Sequence, residues 1–151
     1  MLALLIHAEA RRGARRNANG EYVPLAEQDS VLWDWEIIGE AEAVIRRAST
    51  LSAIGRYQLE AALQSAHVYR CRTGHANWAD GVQLYDVLFA FTSSLVVALN
   101  RALAVAELHG AAAGLDAMPD PKADARLSEY QTAARAELLA QTVANDEACH
   151  A

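Results

Sequence analysis

Between Trp78 and Gly110 the chain carries a residue spacing that few folds can accommodate. Trp78 is followed by Gly81 and then Tyr85, and a second apolar run from Leu95 to Leu108 begins after the break Thr92-Ser-Ser94. Large, small and large residues at three- and four-residue steps fall on one helix face. The small position admits a neighbouring helix, and the rings fill the space on either side. In the second run the apolar residues again recur at helical steps, and Gly110 suits the left-handed backbone that ends a helix. A lone helix hairpin cannot bury its apolar face, so the pattern predicts hairpins stacked side by side.

Composition points the same way. Of the 151 residues, 53% are apolar and 21% charged, with three prolines and hardly any Val/Ile/Thr alternation. That is an ordered, all-helical chain with enough length for one well-buried domain. The aromatic–small–aromatic step is that of a tetratricopeptide-type unit. The expected fold is all-α: a short, irregular tetratricopeptide-like array of antiparallel helix hairpins (55–151) behind an N-terminal helical segment with a basic loop (1–54), together one domain over 1–151. Helices are expected over 1–9, from about 27–30 to 48, over 57–72, 78–91, 95–108 and 111–117, and from about 124 to 143. Hairpins should pair 57–91, 95–117 and 124–151. Asp29 or Ser30 is the expected cap of the second helix and Asn77 that of the helix beginning at Trp78. Leu59, Ala62, Leu63, Ala66 and His67 are expected to face inward. Leu99, Ala102, Leu103 and Ala106 should pack, which leaves Asn100, Ala104 and Glu107 on the concave side.

A formal net charge of −6 opposes nucleic acid. The basic residues concentrate at Arg11, Arg12, Arg15 and Arg16 and at Arg46–Arg47, either as a solvated face or as a docking patch for an acidic partner. Cys71 and Cys149 are far apart, without a CxxC pair, and read as free thiols of a reducing cytoplasm. No stretch approaches the roughly 20 apolar residues that a bilayer requires, so no membrane contact is expected.

Catalysis and metal binding find little footing. The five histidines, His7, His67, His75, His109 and His150, show no ligand spacing. His67 reads as a half-buried histidine that donates to a backbone carbonyl. The pairs Glu36/Glu40 and Asp120/Asp124 stand four residues apart, where like charges repel and belong on solvent faces. No GxSxG, GxxxxGK or GxGxxG is present, and the expectation is a binding protein with no cofactor, metal or catalytic residue.

Two sets of residues invite a partner. Trp33 and Trp35 would lie on different faces of one helix. The second either covers a loop such as Tyr22–Leu25 or, as Trp35, marks a docking surface, because tryptophan is common among binding hot spots. Asn100 can hydrogen-bond an extended peptide on a concave face. Arg101 either joins it or pairs within the fold with Asp86, Glu107 or Glu137.

The block from Leu95-Val-Val-Ala-Leu-Asn-Arg-Ala to His109-Gly-Ala-Ala-Ala-Gly-Leu115 strongly resembles the C-terminal extension of a large group of bacterial extracytoplasmic-function (ECF) sigma factors. Three further segments resemble it in the same order. They are Ala10-Arg-Arg-Gly-Ala-Arg15 with Gly20–Leu25 and Gln28-Asp29…Trp33-Asp34, then Gly55-Arg-Tyr-Gln-Leu59 with His67, and then Tyr130–Leu139. The chain departs from that pattern at Ser30-Val31, at Ser93-Ser94 and after Leu139.

This resemblance implies a regulatory domain that controls transcription initiation through the sigma-2 and sigma-4 regions, which this chain lacks, or through RNA polymerase. In that reading the concave face carries Asn100, Glu107 and Arg135, and Arg11–Arg16 is a hinge or latch. A free-standing adaptor for a peptide of another protein and a small-molecule sensor with a helical pocket are the rival classes. In isolation, exposed apolar ends would favour a homodimer.

Overall fold

The computed structural model describes residues 1–51, 53–120 and 125–149. Ser52 of the expected 49–55 break, Pro121 and Lys122 of the expected loop, Asp124 as a helix start, and His150 lie outside the described residues. The fold is all-α, and the chain divides into two compact units, Met1–Ala76 and Asn77–Ala151.

The N-terminal unit holds α1 (Leu2–Ala10), α2 (Trp35–Ser49) and α3 (Arg56–Thr73). α1 is apolar almost all round, as suits a helix with neighbours on two sides, and it packs on both α2 and α3. Ala10, Ala14, Trp33, Ile38 and Val68 form the core, with Leu25 and Ile37 against it.

The stretch between α1 and α2 is a folded loop. Asn17 Oδ1 accepts from the N–H groups of Asn19 and Glu21, both at 3.0 Å, and Gly20 takes φ +81°. A single bridge joins Arg16 to Tyr22, and Leu25–Glu27 and Ser30–Leu32 are tight 3₁₀ turns. The helix expected from 27–30 therefore starts later, at Trp35. Asp34 is its cap, accepting from Glu36 N and Ile37 N at 3.1 Å each, while Asp29 caps only the 3₁₀ turn before it. A bond from Asp34 N to Ala10 O, 2.8 Å, fastens the start of α2 to the end of α1.

On α3 the buried residues are Leu59, Ala61 and Val68, while Ala66 is exposed. The inward stripe is thus rotated from the expected 59–62–66 line, because α3 packs on α1 and α2. The N-terminal unit reaches Ala76, so 56–73 groups with the helices before it.

The C-terminal unit holds α4 (Trp78–Thr92), α5 (Leu95–His109), α6 (Ala111–Asp116) and α7 (Ser128–Cys149). Each packs on the next, and α7 also touches α5. Asn77 caps α4 as expected, accepting from Asp80 N at 3.2 Å. Gly110 joins α5 to α6 at φ +95°, ψ 162°, a backbone region costly for any side chain.

Leu99 and Ala102 are fully buried. Gly81 is buried too, yet a Cβ there would meet nothing within 4 Å. The close approach expected at Gly81 occurs at Gly114, where a Cβ would lie 2.4 Å from Ala106 Cβ and 3.1 Å from Ala102 O. α7 runs on through Cys149, past the end expected at 143.

Candidate functional site

The basic segment after α1 is split by the fold. Arg12, Arg15 and Arg16 are exposed. Arg12 pairs with Glu9 at 3.2 Å, and Arg16 Nη1 donates to Gly20 O at 2.5 Å, which ties the loop closed. Arg11 instead turns inward and is only 8% exposed, so it does not belong to a surface patch. The chain leaves α1 at Ala10 by a 3₁₀ turn, which carries Arg11 over Trp33 and its neighbours away from it.

Around Arg11 lies a polar cluster inside an otherwise apolar unit. Its Nη1 donates to Gln64 Oε1 at 2.6 Å, and the guanidinium carbon stands 5.9 Å from the Trp33 ring centroid. His7, one helical turn earlier, is fully buried with Nε2 3.3 Å from Ser65 Oγ. Burial, and then the Arg11 charge, lower the His7 pKa to about 4. His67 is lowered to about 4 as well, first by burial and then by Arg70 and Arg11. The His67 Nδ1 accepts from Arg70 Nη2 at 2.9 Å, and its Nε2 stands 3.6 Å from the Sγ of exposed, free Cys71. At neutral pH both rings are therefore uncharged, and the charges of the cluster are those of Arg11 and Arg70.

Trp33 and Trp35 are not helix neighbours after all. Trp33 is extended and buried ahead of α2, and Trp35 opens the helix 38% exposed. The rings meet at 5.8 Å, and Trp35 Nε1 donates to Ser30 O at 3.2 Å. Trp35 is thus tied by its ring N–H to the Ser30–Leu32 turn.

In the C-terminal unit Arg101 Nε donates to Asp86 Oδ1, a tie between α5 and α4. Of its three expected acidic neighbours, this one is realised. Asn100 is half-buried and Glu107 exposed, two turns apart on α5. Ala104 between them is buried, so the middle of the expected concave strip is covered. Arg135 is exposed on α7.

Two grooves flank α1. One, of about 670 Å³, is lined by Leu5, Ile6, Ala8, Glu9, Arg12 and Arg15. The other, of about 290 Å³, is lined largely by apolar groups including Leu2, Val44, Ile45 and Tyr57. Leu2, Leu5, Leu51 and Ile54 are all more than half exposed. Neither groove was legible as a site, because α1 reads as apolar on every face. Among the described residues no group of three His, Cys, Asp or Glu side chains is placed to hold a metal, and no helix is long and apolar enough to cross a membrane.

Residues 1–49, from α1 through the end of α2, match a family of unknown function, DUF6596. An uncharacterized protein of Rhizobium meliloti (strain 1021) is 39% identical over 130 residues, which cover 86% of this chain and 30% of that protein. The chain thus spans less than a third of that relative's length. No solved structure gives a significant match.

Proposed function

We propose that this chain is a regulatory protein-interaction domain of an ECF-type sigma factor and acts on transcription initiation in the cytoplasm through the sigma-2/sigma-4 regions or RNA polymerase. The observation that carries the reading is the ordered run of sequence segments, from Ala10–Arg15 to Tyr130–Leu139, that resembles the extension of that group. The exposed apolar and basic face of α1 supports it, since Leu5, 60% exposed, lines a groove that ends in Arg12 and Arg15. The length of the Rhizobium meliloti relative beyond the match leaves room for further regions in such a protein. Arg12 and Arg15 meet acidic groups of the partner, and the leucines lie against its apolar side. Asn100, Glu107 and Arg135 form a second, weaker contact. Arg101 and Arg11 hold the units in shape rather than touch the partner.

In vitro transcription with core RNA polymerase and a longer sigma protein that carries this chain tests the reading. The double substitution Arg12→Glu/Arg15→Glu should change transcript yield several-fold, while Arg46→Glu/Arg47→Glu leaves it alone. Equal yields from all three proteins would contradict the assignment of the α1 face.

A further inference from the structure

Arg11 carries a permanent charge at 8% exposure, yet no carboxylate pairs with it among the described residues. Its contacts are the amide of Gln64 and the face of Trp33. The nearby charge of Arg15 opposes it, and the groups that favour it are a phenol and a thiol, Tyr22 and Cys71. A buried charge without a counter-charge is among the costliest arrangements in a protein interior.

The hydrogen-bond inventory has the same gap. Gln64 occupies Nη1, while Nε is buried with no acceptor. Trp33 Nε1, which can only donate, is also buried without one. His7 Nδ1 is the third orphan of the cluster. When Ser65 donates to His7 Nε2, the ring proton sits on Nδ1, and that atom is a donor too. Beyond Gln64, donors and positive charge gather here with no acceptor bonded to them, and the one orphaned acceptor of the unit, Gln28 Oε1, is a neutral amide that cannot offset the charge. Water could satisfy the N–H groups but would leave the charge uncompensated.

We propose that this cluster in the N-terminal unit binds a small carboxylate anion on the free Nε edge of Arg11, with Trp33 and His7 as further donors. The fork of a guanidinium edge matches two oxygens of a carboxylate, a match that a halide does not reproduce. Phosphate shares the fork geometry, but the single charge of a carboxylate suits one buried guanidinium better than the larger, partly dianionic phosphate. Arg12 and Gly13, next along the chain, are exposed, so Arg11 stands at the edge of the unit, where an anion can enter. The site is independent of the sigma-factor reading, and either can fail without the other.

The test uses the whole chain and three salts, sodium acetate, sodium phosphate and sodium chloride, titrated separately in dilute neutral buffer. The indole N–H resonance of Trp33 is identified by elimination with Trp35→Phe and Trp78→Phe. Acetate should move it along a saturable curve, with phosphate and chloride giving only a weak linear drift. At ten times its dissociation constant acetate should raise Tm by about 5 °C. Arg11→Met should abolish both responses; because the resonance is read in the unsubstituted chain, the test survives if that variant fails to fold. No saturable shift with acetate, or equal responses to all three salts, would overturn the proposal. Saturation by phosphate or chloride alone would overturn the carboxylate assignment.

Discussion

The two units of this chain are both helical, but they are stabilised in different ways. The N-terminal unit buries His7, Arg11 and a large aromatic, Trp33, and relies on a capped helix start and a folded loop. The C-terminal unit buries Leu88, Leu99 and Leu138 together with small residues, Ala102, Ala104, Ala111 and Gly114, and one uncharged polar side chain, Gln131. Polar groups in the first interior have fixed hydrogen-bond demands, so chemistry can attach to it. Among the described residues the second buries no ionisable side chain, and it depends on how closely backbones approach, which makes it sensitive to volume.

The largest break in that comparison should come from Leu99→Ala. A fully buried leucine removed from a small-residue core costs about 2–5 kcal/mol, read from urea unfolding. Gly114→Ala should follow at about 1–3 kcal/mol, because its methyl would sit 2.4 Å from Ala106 Cβ. Alanine ordinarily favours a helix over glycine by about 1 kcal/mol, so a neutral result would show that α6 can slide away from α5.

Acid should separate the units next. The folded His7 pKa of about 4 lies below the unfolded value of 6.5, so the unfolded chain takes up the proton first as pH falls. Stability is therefore complete above about pH 6.5 and declines toward about pH 4, by on the order of 1–2 kcal/mol after allowance for solvent screening. His67, lowered to about 4 in the same unit, adds a decline of its own, so His7→Gln should roughly halve the loss in urea midpoints between pH 7 and 4.5, and an unchanged slope would deny the buried neutral ring. The smallest effect belongs to Arg101→Ala, about 0.5 kcal/mol, since its partner Asp86 is half in solvent.

Much of this was legible in the residues. Strong helical periodicity located α4 and α5 almost to the residue, and Gly110 and Asn77 marked their ends because each has a local physical role. The start of α2 was missed because Asp29 and Asp34 offer the same capping chemistry, and what decides between them is the tertiary bond from Asp34 N to Ala10 O. The inward turn of Arg11 was equally hidden. In sequence it is one arginine of four, and its burial depends on where Trp33 and Gln64 arrive from distant parts of the chain. Gly114 escaped notice because it lies in an Ala-Ala-Ala-Gly run with no aromatic to flag a close contact, whereas Gly81 stands between Trp78 and Tyr85.

The central functional claim is that this chain grips the sigma-2/sigma-4 part of an ECF-type sigma factor. Calorimetric titration of the whole chain with that fragment, separately purified from the same organism, tests it most directly. The account predicts binding at micromolar affinity or tighter, weakened at least tenfold by Arg12→Glu/Arg15→Glu. An absence of heat from a sample shown to be folded by circular dichroism would contradict it.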